Sequence, residues 1–307
     1  MEPLVTIVVA TKNSAKTVKK TMESISTLDY KNFEVLVVDG NSSDNTIEIV
    51  KDFSSLYKIR IITEEKKGRG AAYNRGIMEA EGKFVAFLDS DAMVATSSWI
   101  RFAVSAMEKD LEIGVVFTKV FSPPDSSFMQ KAIDAFLCKG FTTANGAIYR
   151  KDAAVKVGGF NVKMNYMQED ELLKKLTDAG YKYIVNENDV IFHYHRNTLS
   201  SYIKQNVESA IGARMYREFT GQNWIIKDGT VRVGTLLFVT LMTISLAIFY
   251  PLLVIPFLAL VYLGLFLKVN KETCPRYKWS RYTLGSPLFI MLSLLGYSIG
   301  FLSVKAE

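Results

Sequence analysis

The chain has 307 residues, 49% of them hydrophobic, and 37 Lys and Arg against 31 Asp and Glu give it a net charge of +6. This is enough for one soluble domain of ordinary size plus a further apolar part. The two cysteines, Cys138 and Cys274, are far apart and indicate neither a disulfide framework nor a cysteine metal site, and no aromatics interleave with the basic residues to suggest a nucleic-acid surface.

Leu4 to Ala10 is an apolar run that predicts a buried first strand, without the basic start and cleavage site of a signal peptide. Thr11-Lys12-Asn13-Ser14 follows as a polar loop into a helix with Val18, Met22 and Ile25 on its apolar side. Phe33 to Val38 predicts a second strand. The segment after it, Asp39-Gly40-Asn41-Ser42-Ser43-Asp44-Asn45-Thr46, is dense in residues that form turns and cap helices. Ile59 to Thr63 is a third strand, and Lys67-Gly68-Arg69-Gly70 opens a helix over Ala71 to Ala80. Phe84 to Leu88 is continuously apolar, the pattern of a strand covered on both faces, and ends in Asp89-Ser90-Asp91. Two carboxylates set close together repel, and a hard divalent cation carrying phosphate oxygens relieves that repulsion; a solvated turn or helix cap is the plainer use of the same motif.

Gly114 to Phe121 predicts another strand, and Phe128, Met129, Ala132, Ile133, Phe136 and Leu137 recur at helical spacing, as in a core-facing helix more than one touching lipid or acceptor. Asn145 to Arg150 resumes extended structure, Gly158-Gly159-Phe160 is a turn, and Gln168-Glu169-Asp170-Glu171 starts a helix with acids at its positive end. Tyr181 to Val185 and Val190 to Phe192 continue the sheet. Alternation of strand and helix predicts an α/β fold, a mostly parallel sheet flanked by helices whose strand-end loops converge on one ligand. A dinucleotide-binding fold is disfavoured: no Gly-x-Gly-x-x-Gly turn follows the first strand, and after Gly68-Arg69-Gly70 the third glycine position holds Tyr73.

From Leu199 to Phe219, Leu199, Tyr202, Ile203, Val207, Ala210 and Ile211 share a face while Lys204, Arg214 and Arg217 occupy polar positions, which reads as an interfacial helix in preference to one packed on the domain. Val231 to Leu267 is apolar apart from Arg232, too long for one crossing, and divides at Tyr250-Pro251; Leu284 to Val304 is uncharged and fits one more. The expected organisation is a catalytic domain over 1–198, a juxtamembrane helical segment over 199–230 and a transmembrane region over 231–307, with helices near 231–249, 251–267 and 284–304. Lys268, Lys271, Arg276, Lys278 and Arg281 make the loop between the last two spans basic, which puts it and the catalytic domain on the cytoplasmic face of a cell membrane.

The motifs in this order resemble the inverting nucleotide-sugar glycosyltransferases of family 2, with the GT-A fold, over roughly Leu4 to Arg217. The resemblance rests on Val38 to Asp44, on Gly68 through Asn74 and Gly76, on Asp89-Ser90-Asp91, on Gly158-Gly159-Phe160 and on Glu169-Asp170. It implies that Thr11, Asn13 and Asp39 form the nucleoside pocket, although Asp39 could instead cap the following helix. It implies that Lys67 and Arg69 approach the donor diphosphate, where a solvated basic loop is nearly as good a reading. Asp91 is then the stronger ligand for Mg2+ or Mn2+, with Asp89 on ribose or the metal. Asp170 matches the catalytic base and Glu169 is the fallback, while both also suit a helix first turn. His193 and His195 are alternative metal ligands, His193 favoured by its strand-end position, and only one should face the site because alternate residues of an extended segment point oppositely. Arg196 could assist with phosphate charge. The implied partners are a nucleotide-diphosphate sugar, a lipid-linked or glycan acceptor and membrane lipid, with no nucleic acid. A polyprenyl-phosphate sugar synthase of the same fold is the nearest alternative, and a non-catalytic nucleotide-sugar sensor or membrane scaffold the alternative of a different class.

Overall fold

The first apolar run forms β1 (Val5–Thr11), which lies between β2 (Phe33–Asp39) and β4 (Phe84–Asp89), parallel to both. β3 (Ile59–Thr63) extends the sheet beyond β2, again parallel. On the other side β7 (Ile148–Arg150) runs antiparallel between β4 and β6 (Ile113–Phe121); then come β8 (Lys182–His193) and the short β5 (Ala92–Val94), giving eight strands in the order β3-β2-β1-β4-β7-β6-β8-β5. The computed structural model describes residues 1–66, 68–138 and 143–303.

Period-two alternation divides the apolar side chains between two cores. Val5, Ile7, Val9, Val35, Val37, Phe84, Ala86 and Leu88 face one side, covered by α1 (Val18–Ile25), α2 (Thr46–Lys51) and α4 (Trp99–Lys109) through Met22, Val50, Trp99 and Met107. Val8, Leu36, Val38, Val85 and Phe87 face the other, under α3 (Arg69–Glu79), α6 (Lys151–Lys156) and α7 (Gln168–Asp178) through Tyr73, Ile77, Ala154, Leu172 and Leu176. Both faces being covered explains why β1, β2 and β4 read as unbroken hydrophobic runs. Sequence order reverses between β1 and β4, so the loops after them open a crevice at the carboxyl edge.

The described residues fall into two compact units, 1–121 with 143–193 and 122–138 with 194–303. The second contains α5 (Phe128–Leu137), α8 (Leu199–Thr220), α9 (Trp224–Phe249), α10 (Val254–Glu272) and α11 (Arg281–Ser303). Ser127 and Gln130 form a capping box on α5, and Gly221, in the left-handed region at φ 70°, ends α8. α5 thus buries Ala132 and Ile133 against Tyr202 and Phe289 of its own unit. The sequence separation that argued against a disulfide is closed by the fold: Cys138 at the end of α5 and Cys274 after α10 form one, with Cα atoms 5.9 Å apart. Three helices, Trp224–Phe249, Pro251–Glu272 and Arg281–Ser303, are long and apolar enough to cross a membrane.

Candidate active site

The crevice beside β1 and β4 holds a cleft of about 680 Å³. Ala10 to Ser14 after β1, Gly40 after β2, Glu64 to Lys66 after β3, the start of α3, and Asp89 to Asp91 after β4 line it. Lys12, Lys16, Lys66 and Arg69 bring cations to the wall, set against Glu64, Glu65, Asp89 and Asp91. Lys67 lies outside the described residues.

The aspartate pair gains its third member through strand pairing. β5 runs antiparallel to β8, and Ala92 is opposite His193. That register sets the His193 Nε2 3.3 Å from Asp91 Oδ1. Asp89, Asp91 and His193 each offer a ligand atom within 4.8 Å of the others, and two carboxylates with an imidazole suit a divalent cation such as Mn2+. Burial works against ionisation of both Asp91 and His193, but their mutual hydrogen bond and attraction outweigh it, holding the carboxyl below and the imidazole above its ordinary range. His195, the other candidate, is engaged elsewhere. Its Nε2 lies 2.8 Å from Asp134 Oδ1 in the second unit, where Asp134 is buried and also accepts from the Ser122 N–H and the Tyr277 hydroxyl. Arg196 is exposed in the segment leading to α8.

Neighbours that sequence reasoning passed over hold Asp89. The Tyr73 hydroxyl donates to its Oδ1, and its backbone N–H donates to Asn145 Oδ1 at 3.1 Å. Tyr73 had a signal, lying one helical turn beyond Arg69; Asn145, 56 residues from Asp89, had none. The Asp89 charge in turn strengthens the hold of Arg69 on its proton. Asn165 Oδ1 accepts the Arg69 N–H at 2.9 Å, and the Gly70 N–H donates to Met164 O. A Cβ at Gly70 would strike the carbonyl oxygens of Asn161 and Met164, so the residue must be glycine for this approach. The loop leading to α7 is thereby fastened to the start of α3.

At the first turn of α7, Glu169 and Asp170 are half-buried, and Met167 before them adopts φ 58°. Burial, then the charge of Asp170, pushes the Glu169 carboxyl up to about 7, and its Oε2 is buried without a hydrogen-bond partner. Thr11, only 5% exposed, lines the cleft with its Oγ1 also unpartnered. Asn13, at φ 50°, lines it too and accepts the Ser43 N–H at 2.8 Å. Asp39 is turned toward its own loop: Oδ2 accepts the Ser42 N–H at 2.8 Å and Oδ1 the Ser42 hydroxyl at 2.5 Å, a turn within the loop and not a cap of α2, whose N-cap is Asn45.

A family model described as Glycosyl transferase family 2 matches residues 6–167. The chain belongs to that family. Glycosyltransferase AglE of Haloferax volcanii is 30% identical over 205 residues, 62% of this chain and 66% of that protein, so the chain spans just under two thirds of its length. A Methanococcus voltae protein named dolichyl N-acetyl-alpha-D-glucosaminyl phosphate 3-beta-D-2,3-diacetamido-2,3-dideoxy-beta-D-glucuronosyltransferase is 25% identical over 256 residues, 73% of this chain and 78% of its own. Among solved structures, the mannosyltransferase PcManGT of Pyrobaculum calidifontis, in complex with GDP-Man and Mn2+, superposes with a TM-score of 0.71 at 18% identity, covering 99% of this chain and 88% of its own. The fold is therefore the GT-A-type arrangement expected, with antiparallel β7 inserted in the parallel sheet and antiparallel β5 at its edge.

Proposed function

We propose that the protein is a membrane-anchored glycosyltransferase that moves a sugar, with inversion, from a nucleotide-diphosphate sugar to a lipid-linked acceptor, its catalytic domain on the cytoplasmic face. The observation that carries this reading is the grouping of Asp89, Asp91 and His193 beside a cleft whose wall also carries Lys12, Lys16, Lys66 and Arg69. Mg2+ or Mn2+ held by those three residues would neutralise the donor diphosphate and favour its departure. Thr11 and Asn13 bind the nucleoside, with Asp39 as a further contact, while Arg69 balances phosphate charge, a role the sequence motif also gives to Lys67. His195 is not retained as a ligand, since Asp134 engages it.

Asp170 removes the proton of the acceptor hydroxyl as the new bond forms; a carboxylate suffices because the hydroxyl becomes acidic only in the transition state. Glu169, its carboxyl raised to about 7 by burial and then by the Asp170 charge, is the fallback base. The lipid-linked acceptor is supported by the Methanococcus voltae relative, whose name specifies a dolichyl phosphate substrate, and by the apolar helices that follow the catalytic unit. The nucleotide sugar and the metal are supported by the solved neighbour bound to GDP-Man and Mn2+.

Asp170→Asn tests the assignment. Donor affinity should stay within about twofold, while transfer should fall by about 10²- to 10⁴-fold. Undiminished transfer would remove Asp170 from the base role, and loss of donor binding together with transfer would mean that it holds the donor instead.

A further inference from the structure

α11 is apolar and long enough to span a bilayer, yet its neighbours within the second unit oppose a crossing. It runs alongside α8 in the same direction. Phe289 packs edge-on against Tyr202, Ser293 donates to Asn206, and the Phe301 carbonyl accepts from Arg214 at 3.2 Å. Gly296 and Gly300 allow the approach: a Cβ at either would collide with the α8 backbone at Ile203 or Val207. The stretch of α8 held this way, Tyr202 to Arg214, carries Lys204, Glu208 and Arg214. If α11 stood across the membrane, it would draw those three charges into hydrocarbon, where each is costly.

The contacts of α11 with α9 and α10 give its direction. α9 and α10 are joined by the tight turn at Pro251–Leu253. Near its start α11 meets α10: the Tyr262 hydroxyl donates to Leu284 O, and Phe266 packs against Trp279 just before the helix. Tyr262 lies about 14 Å along α10 from the turn at 1.5 Å per residue. Near its end α11 meets the beginning of α9. Arg232 lies 4.4 Å over the Tyr297 ring, and a Cβ at Gly229 would overlap Phe301. Gly229 is about 30 Å from the turn on the same scale. A crossing helix would finish beside the turn; α11 finishes at the far end of the hairpin, where α9 begins. Its outward apolar residues, Leu284, Leu288, Leu295, Ile299 and Leu302, fall on one face, and the other exposed residues, Arg281 and Ser303, stand at its two ends.

From this we infer that only α9 and α10 cross the bilayer, and that α11 lies with α8 in the plane of one leaflet, its Leu284–Leu302 face seated on the acyl chains and Ser303 on the side where α9 starts. The inference rests on the reading of α9 and α10 as a membrane hairpin and replaces the third crossing expected from hydropathy.

Single cysteines at Gln222, Leu252 and Ser303 test it in the full chain, labelled with a membrane-impermeant maleimide in intact cells and in inverted vesicles, with the native disulfide left in place. Positions 222 and 303 should label from one side and position 252 from the other. Labelling of 303 with 252 would overturn the in-plane assignment while leaving the hairpin standing; labelling of 222 and 252 from the same side would overturn the hairpin and the inference with it. Fluorophores at Leu288, Leu295 and Leu302 in phosphatidylcholine–phosphatidylglycerol vesicles should all be quenched by lipid-borne quenchers within the same leaflet. Depths graded across both leaflets, or protection from lipid by a second copy of the chain, would contradict the assignment.

Discussion

Glu169 responds to pH differently from an exposed carboxylate. With Glu169 raised to about 7 by burial and by Asp170, the folded chain keeps a proton that the unfolded chain releases near 4.5, so stability falls as pH rises between those values. Glu169→Gln should therefore raise the melting temperature at pH 8 and leave it unchanged near pH 4, read by calorimetry; an equal gain at both would place the effect in packing. Glu34 has the opposite sign. Burial alone would raise this carboxyl, but hydrogen bonds from Arg60, Lys58 and Thr6 hold it at about 2 against an ordinary 4.5. Its contribution is fully present above pH 4.5 and is lost as pH falls toward 2, so Glu34→Gln should flatten the acid limb of the stability curve. Glu169 and Asp170 were legible in the sequence as an acidic pair at a helix start. His193 was preferred over His195 from its strand-end position alone; the pairing of β8 with β5, which sets it opposite Ala92, had no sequence signal.

Elements reached the sequence reading in proportion to their length and burial. β1, β2 and β4 announced themselves because both of their faces are covered. β5 is three residues long and carries no pattern of its own, although its pairing with β8 brings His193 to Asp89 and Asp91. Asn145 and Asn165 act across separations of 56 and 96 residues, beyond any local signal. α8 showed an apolar face and was read as interfacial, while the structure adds what buries that face: Tyr202, Ala210 and Tyr216 are covered, and α11 lies alongside. Close approach of α3 to β1 also has a cost that can be measured. Gly76 sits against the Val8 side chain, and an added Cβ would lie 2.5 Å from Val8 Cγ1. Gly76→Ala should destabilise by about 1–3 kcal/mol through overpacking, read as a shift in denaturant midpoint; a neutral substitution would mean that the helix can move off the sheet.

On the scale of the whole molecule, a Glycosyl transferase family 2 domain and a helical unit with apolar spans are joined in one chain. A lipid acceptor, as proposed above, cannot leave the bilayer, and the helices beyond the family domain are long and apolar enough to hold an enzyme there. The full chain should stay with membranes through an alkaline carbonate wash; release would reduce the apolar helices to peripheral contact. The central claim, that Asp89, Asp91 and His193 hold a divalent metal against a nucleotide-diphosphate donor, is tested most directly by thermal shift of the full chain with guanosine- and uridine-diphosphate sugars, with and without Mn2+. The account predicts that at least one donor raises the melting temperature only when Mn2+ is present, and that Asp91→Asn removes this gain while leaving the unliganded melting temperature in place. A donor shift independent of metal and unchanged by Asp91→Asn, or no shift with any donor, would contradict it.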